Sequence, residues 1–311
     1  MKTLNILFIV SLLGLVGTAL DAQKELGEVK WLRNYDEAVA KAEAADKPIL
    51  LLFQEVPGCA TCRNYGEDVL SHPLVVDAIE NEFVPLAIFN NVGGHDRKIL
   101  DKYDEPTWNN PVVRVIDAQG KDVMSRLAGN YTAHGLALQM SLALRQSGKA
   151  LPAYLDLLVE ELESNQSEDA YYEMYCFWSG EAHLGNQEGV VATEPGFMNG
   201  AEVVKVTFDD SKISKKKLDR YAEKAKCKPV NNIGKYRKDK DPQYYLKRSP
   251  YKTIPLSPIQ KTKINALLAA KQDARHLLSP TQREWLDTKA LSAALYDLSL
   301  EEAWAEAIKA N

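Results

Sequence analysis

Two cysteines three residues apart, Cys59 and Cys62, are the side chains in this sequence best suited to chemistry. They follow an apolar run at 49–53 and precede a helix-compatible segment that begins at Arg63. A thiol at the start of a helix meets unpaired backbone N–H groups and the positive end of the helix dipole, so its pKa can fall from about 8.5 to about 3.5–7.5. The spacing therefore predicts a redox pair in which Cys59 attacks and Cys62 resolves.

Such a pair can also form a structural disulfide or one half of a zinc site. A zinc site needs a second pair of ligands at short spacing. The other two cysteines, Cys176 and Cys227, and the five histidines show no such spacing. The sequence therefore favours a redox pair with no metal and no cofactor, kept reduced by an external dithiol or a thioredoxin-type electron donor.

The composition sets the class of protein and of partner. The chain has 311 residues, enough for two domains of moderate size, and its 45% apolar and 26% charged residues are typical of globular proteins. The formal net charge of −5 argues against a nucleic-acid partner, because phosphate binding depends on clustered Lys and Arg. The short basic run at 212–217 is better explained as the solvated face of a helix.

The first 22 residues have the pattern of a secretory signal peptide. Lys2 precedes an apolar stretch at 4–16, and small residues follow it before Asp21. The apolar stretch is short for a membrane span, which needs about 20 residues, so an uncleaved anchor is the less favoured alternative. We therefore expect an exported protein, periplasmic or secreted, in a compartment that oxidises thiols unless electrons are supplied.

The elements around the first two cysteines resemble a known fold. Apolar runs and breaks predict the order helix, strand, Cys-x-x-Cys helix, a second helix, strand, Pro-led strand, turn, strand and helix, with Pro111 at the entry of the penultimate strand. This order resembles the thioredoxin fold over about residues 31–146. In that family the proline before the penultimate strand is cis and lies against the nucleophilic sulfur. The resemblance thus implies a cis Asn110–Pro111 bond and places Pro111 on the substrate side of the site.

The active-site residues differ from the usual Trp-Cys-Gly-Pro-Cys of that family. Pro57-Gly58 precedes Cys59, and Ala60-Thr61 separates the two thiols. The stretch looks more like a thioredoxin-like group with Val-Pro-Gly before its redox residue. These differences imply a changed redox potential and partner surface.

The second half of the chain predicts a separate unit. A Gly- and Pro-containing joint at 147–152 precedes a pattern of strand, helix, strand, strand, helix, strand, which is a split βαβ plan. The predicted strands are 170–175, 190–193, 201–208 and 251–256, with a turn-rich stretch at 194–200. The fold class is therefore α/β plus α+β: a thioredoxin-fold domain, then a split-βαβ, ferredoxin-like domain. The predicted segments are a signal peptide at 1–22, the first domain at 23–148, a linker helix at 149–167, the second domain at 168–275 and a C-terminal helical appendage at 276–311.

The second unit carries its own cysteine motif. The run Cys176-Phe177-Trp178-Ser179-Gly180-Glu181 resembles the Gly-Cys-Phe-Trp-Gly-x-Glu signature of A-type peptide methionine sulfoxide reductases (MsrA), with support in residues 189–206 and 254–260. The resemblance covers about 170–268. It implies that Cys176 attacks a sulfoxide sulfur, while Phe177 and Trp178 form an apolar wall for the substrate's methyl group. A buried small hydrophobe is the alternative interpretation of Cys176.

Other residues of that reaction are less well defined. Phe197 stands where the family has Tyr, and the segment that carries the family's acidic proton donor is missing. Glu181 is one candidate proton donor, and the others are Glu202, Tyr236 and Tyr251. Cys227 is a candidate resolving thiol, because its neighbours Lys226 and Lys228 favour the thiolate.

Three functions are compatible with these patterns. In the first, Cys59 and Cys62 pass electrons to Cys176, which reduces peptide methionine sulfoxide. In the second, the chain is a thiol-disulfide oxidoreductase whose second domain is a catalytically silent recognition module. In the third, it is a non-enzymatic protein with stably paired cysteines. The first two imply oxidised proteins or peptides as substrates and an upstream membrane or soluble thiol reductant as partner.

Overall fold

The computed structural model describes residues 24–108, 111–163 and 167–310. The predicted signal peptide and Asn110 lie outside these residues. Within the described parts of the chain, no helix has the length and apolar character needed to cross a membrane.

The first unit is a mixed four-stranded sheet between helices. Its strand order is β2-β1-β3-β4, with β1 parallel to β2 and antiparallel to β3. The mixed sheet and the predicted α/β layout are confirmed. Its elements are α1 (Tyr35–Ala45), β1 (Ile49–Gln54), α2 (Ala60–Asp68), α3 (Pro73–Glu82), β2 (Val84–Phe89), α4 (His95–Lys102), β3 (Val112–Ile116), β4 (Leu127–Ala128), α5 (Ala133–Gln146) and α6 (Ala153–Glu163).

Strand β1 is the centre of this unit. All six of its residues are buried, and the five apolar ones, 49–53, alternate between two apolar clusters. Leu50 and Leu52 pack with α3 and α5 on one face, whereas Leu51 and Phe53 pack with α1 and α4 on the other. A strand covered by helices on both faces reads as a continuous apolar run, which is why the sequence pattern identified it.

Helix α6 belongs to the core of the first unit. Tyr154, Leu155 and Leu158 are buried in the same apolar cluster as Leu50, and the Tyr154 hydroxyl donates to Glu82 at 3.0 Å. The predicted linker helix therefore packs against α3 and α5.

The second unit has the predicted split-βαβ plan. Its five-stranded sheet has the order β8-β5-β7-β6-β9, and every neighbouring pair is antiparallel. Its elements are β5 (Ser167–Glu173), α7 (Phe177–Gly185), β6 (Val190–Met198), β7 (Ala201–Asp209), α8 (Lys215–Lys224), β8 (Lys228–Pro229), β9 (Arg237–Lys238), α9 (Tyr244–Lys247), α10 (Pro258–Ala269), α11 (Pro280–Thr288) and α12 (Leu300–Ala310).

Two sequence predictions in this unit are wrong. The final strand at 251–256 does not form: the Ser249 side chain accepts from the Tyr251 N–H, and Pro250–Thr253 is a 3-10 helix. The short β8 takes the fourth place in the sheet instead. The stretch at 194–198 continues β6, and the turn is confined to Asn199 and Gly200, both with positive φ, as tight hairpins require.

The C-terminal helices join the two units. Ile254 and Leu256 are buried with residues of α10, α11 and α12 in a separate apolar cluster. Thr281 at the start of α11 donates from its hydroxyl to Asp77 of α3 at 2.5 Å, and Leu300 of α12 packs in the core of the first unit. The segment beyond residue 276 therefore contacts both units.

Candidate active site

The fold places Cys59 and Cys62 at the carboxyl edge of the first sheet. Cys59 is the N-cap residue of α2, and Cys62 lies in its first turn. The register of β1 and β3 pairs Phe53 with Val112, so the buried Pro111 lies at the same edge. The predicted cis bond before Pro111 involves Asn110, outside the described residues. The Val56–Pro57 bond is cis.

The two thiols have opposite environments. Cys59 is exposed, Cys62 is fully buried, and their sulfurs lie 3.8 Å apart. The Cys62 backbone N–H is the main cause that lowers the pKa of Cys59, with further hydrogen bonds from the Cys62 thiol and from Thr61. Burial raises the pKa of Cys62 to about 11, and the neighbouring Cys59 thiol adds to this effect. This asymmetry supports Cys59 as the attacking thiol and Cys62 as the resolving one.

Side chains distant in sequence hold the loop between β1 and α2. Glu25 accepts from the Gly58 N–H at 2.9 Å, and Asn91 accepts from the Val56 N–H at 3.2 Å. The Gln54 side chain donates to the carbonyls of Glu25 and Cys62. Glu25 and Asn91 gave no sequence signal, because nothing local links them to the cysteines. The polar pair Gln54-Glu55, directly after an apolar run, is the sequence feature that could have indicated polar contacts at the cysteine loop.

Alkylation of the reduced protein should distinguish the two thiols. We expect a small iodoacetamide reagent to modify Cys59 first, with a pH midpoint below the ordinary value, because only the thiolate reacts and Cys59 is exposed. Cys62 should stay unmodified until the pH approaches 11. Peptide mass spectrometry after timed quenching measures both. Equal rates for the two thiols at neutral pH would contradict the arrangement.

The second unit brings the predicted aromatic residues together beside Cys176. Cys176 is the N-cap residue of α7 and is half-buried, and the Ser179 hydroxyl donates to its sulfur at 3.7 Å. The rings of Phe177 and Phe197 lie 5.4 Å apart, and Trp178 lies 5.6 Å from Phe177. Phe177 is buried in the core of the second unit, whereas Trp178 and Phe197 are half-buried.

Glu202, one of the candidate proton donors named from the sequence, lies beside the start of α7. Glu202 of β7 accepts from the Phe177 N–H at 2.9 Å, directly after Cys176. Of the other candidates, Tyr236 donates its hydroxyl to the carbonyls of Glu194 and Pro195. The Glu202 carboxylate is therefore hydrogen-bonded to the residue that follows Cys176.

Glu181 faces away from Cys176. Five residues along a helix correspond to a rotation of about 140° from the cysteine. The Glu181 carboxyl is fully buried and accepts from the Gln243 N–H at 2.9 Å, and burial raises its pKa to about 8. The next residue, Tyr244, stacks on Trp178 with ring centroids 4.3 Å apart. Glu181 thus holds the segment that covers Trp178.

This buried carboxyl predicts a pH-dependent stability. Its pKa is raised on folding from an ordinary value of 4.5, so its stabilising contribution is present below about pH 4.5 and is lost as the pH rises to about 8. Glu181→Gln removes that dependence. We expect the melting temperature of the variant, relative to the parent, to be higher at pH 8 than at pH 5. A difference between the two proteins that does not change with pH would contradict this.

The environment of Cys227 contradicts the sequence argument for a thiolate. Its side chain is 1% exposed and packs with Tyr172, Leu218 and Ala222 in the apolar core of the second unit. Its thiol donates to the Ala225 carbonyl at 3.8 Å, and burial raises its pKa. The neighbouring lysines do not outweigh this burial. Cys227 would have to leave the core to serve as a resolving thiol.

One comparison with known protein families identifies a domain within the first unit. A thioredoxin-like family profile matches residues 30–118, which include both cysteines at the sheet edge. A solved structure titled "DsbH Oxidoreductase" is similar at 18% sequence identity and a TM-score of 0.33, covering 38% of this chain and 85% of that chain. No curated protein matches the chain. The family match ends before Cys176. Residues 30–118 are therefore a thioredoxin-like domain.

Proposed function

We propose that the protein is a thiol-disulfide oxidoreductase acting through Cys59 and Cys62. The observation that carries this proposal is the pairing of an exposed thiol of lowered pKa with a buried thiol of raised pKa, 3.8 Å apart on a thioredoxin-like domain. The substrates are oxidised proteins or peptides, and export after removal of residues 1–22 is part of the proposal.

The reaction runs in two exchange steps. The Cys59 thiolate attacks a substrate disulfide, forms a mixed disulfide and releases one substrate sulfur, which takes up a proton. Cys62 then loses its proton and attacks the Cys59 sulfur, which releases the second substrate thiol. The substrate gains two electrons and the cysteine pair becomes a disulfide. An external dithiol reductant restores the pair, so no cofactor is needed.

Stoichiometric reduction of a peptide disulfide tests this function. One equivalent of reduced protein should reduce one equivalent of disulfide, and mass spectrometry should locate the new disulfide between Cys59 and Cys62. Cys176→Ser and Cys227→Ser variants should behave as the parent. Loss of reduction in the Cys176 variant would place the reacting thiol in the second unit instead.

A second candidate function is reduction of peptide methionine sulfoxide at Cys176. It is favoured by the cluster of Phe177, Trp178 and Phe197 rings that begins at the residue after Cys176, and by Glu202 at the helix start. Attack of Cys176 on the sulfoxide sulfur, with protonation of the oxygen, yields the thioether and a sulfenic acid on Cys176. A dithiol, either the Cys59 and Cys62 pair or an external one, then reduces the sulfenic acid and releases water.

This second candidate has its own test. The parent should turn over an N-acetylated methionine sulfoxide peptide with a dithiol reductant, and Cys176→Ser should abolish turnover. If the parent shows no turnover while its disulfide exchange is intact, the second unit is a recognition module without this activity.

A further inference from the structure

The Glu55 carboxylate, a third group able to bind a metal ion, lies beside the two cysteines. A carboxylate oxygen of Glu55 and the sulfurs of Cys59 and Cys62 all lie within 4.8 Å of one another. Two sulfurs bound tetrahedrally to zinc at about 2.3 Å are about 3.8 Å apart. The Cys59 and Cys62 sulfurs are 3.8 Å apart, whereas a disulfide requires about 2.05 Å. We propose that the reduced pair and Glu55 form an open Zn²⁺ site with two thiolates and one carboxylate.

The loop geometry holds these three ligands in place. Glu55 directly follows β1, and the chain turns back so tightly at Gly58 that a Cβ there would lie 2.3 Å from the Glu55 carbonyl oxygen and 2.7 Å from the Cys62 Cβ. The turn is fixed by Glu25 on the Gly58 N–H and by Arg63, which donates to the Gly58 carbonyl at 2.6 Å. The backbone that carries the three ligands is therefore held by contacts that need no metal.

The ligand chemistry selects the type of cation. Two thiolates favour zinc and copper over magnesium or calcium, which take oxygen ligands. The carboxylate oxygen is a harder ligand than the thiolates and suits the borderline Zn²⁺ better than Cu⁺. Cys59 is exposed, so the fourth position of a tetrahedron is open to water. Three protein ligands and one open position are the pattern of a non-structural zinc site.

Zinc binding at this site is coupled to protons and to the redox state. Each thiol loses its proton when it binds the metal, so binding of Zn²⁺ releases protons. The disulfide form has lost both thiolates and does not bind. Zinc would also block attack by Cys59, a consequence that rests on the proposed exchange function, whereas metal binding itself does not.

Metal titration of the reduced full-length protein tests the site without any disulfide substrate. Zn²⁺ competition against a chromophoric chelator gives affinity, and Co²⁺ reports thiolate coordination through its charge-transfer absorption. We expect one metal ion per reduced chain, none at this site after oxidation, and no thiolate signal from Cys62→Ser. Cys176→Ser is the matched control and should bind as the parent does.

Two further variants measure what the Glu55 carboxylate and the Gly58 turn contribute to metal affinity while both cysteines are kept. Glu55→Gln keeps the shape of a half-buried side chain, and we expect at least about a tenfold loss of Zn²⁺ affinity, because replacing even a residue that only hydrogen-bonds to a metal ligand costs about 10–100-fold. Gly58→Ala keeps all three ligands but displaces them, so it should also weaken binding. Unchanged affinity in Glu55→Gln, or a thiolate signal that persists in Cys62→Ser, would overturn the proposal, even if disulfide exchange proceeds normally.

Discussion

Replacing Cys59 by serine should reduce the rate of disulfide exchange at least about a thousandfold, to the background of the reductant alone. Attack requires a thiolate, and a serine hydroxyl is neither ionised nor nucleophilic enough at neutral pH to replace it. Cys59 is also the thiol of the pair that is exposed to a large substrate. Release of a fluorescent thiol from a peptide disulfide measures the rate.

The control for this prediction lies in the second unit. Cys176 is also an N-cap cysteine, so Cys176→Ser removes a thiol in a similar local position without touching the thioredoxin-like domain. The exchange rate of Cys176→Ser should lie within about twofold of the rate of the parent protein. Residual exchange in Cys59→Ser above a tenth of the parent rate would mean that another thiol can attack.

Replacing Glu105 by alanine should destabilise the thioredoxin-like domain by about 2–3 kcal/mol. The Glu105 side chain is fully buried and binds Arg114 at 2.7 Å and Arg126 at 2.5 Å. Removal leaves Arg114, whose side chain is only 12% exposed, with Asp122 as its remaining carboxylate partner. The more exposed Arg126 recovers water, which limits the loss.

An exposed ion pair in the same domain is the matched control. Arg97 and Asp101 pair at 2.8 Å on the surface of α4, with side chains about 60% exposed. Asp101→Ala should change the unfolding free energy by less than about 1 kcal/mol. Urea denaturation of the two variants measures the difference. Equal stabilities of the two variants would contradict a stabilising role for the buried Glu105 carboxylate.

The parts of the fold that the sequence predicted are those whose signals are local. The apolar run of β1 and the spacing of Cys59 and Cys62 each lie within a few residues, and the structure has the strand and the helix start there. The predicted strand at 201–208 likewise coincides with β7, Ala201–Asp209. In these segments the propensity of the chain and the tertiary packing agree.

The sequence predictions that were wrong or missing concern residues whose structure depends on contacts between distant segments. Residues 251–256 contain the strand-favouring types Tyr, Thr and Ile, but the Ser249 cap and Pro250 start a 3-10 helix, and Ile254 is buried against the C-terminal helices. Cys227 has lysines on both sides, yet burial in the second core decides its pKa. Glu25 reaches the cysteine loop from 33 residues away. Such contacts depend on the completed fold and leave no short pattern.

The central claim is that Cys59 attacks and Cys62 resolves. In a Cys62→Ser variant the second step is blocked, so the mixed disulfide with a model peptide disulfide should accumulate. Mass spectrometry of the trapped species after proteolysis under acid conditions locates the bond. The account predicts one peptide per chain, attached at Cys59. Attachment at Cys176, or no trapped species while the Cys62→Ser variant still consumes the disulfide, would contradict it.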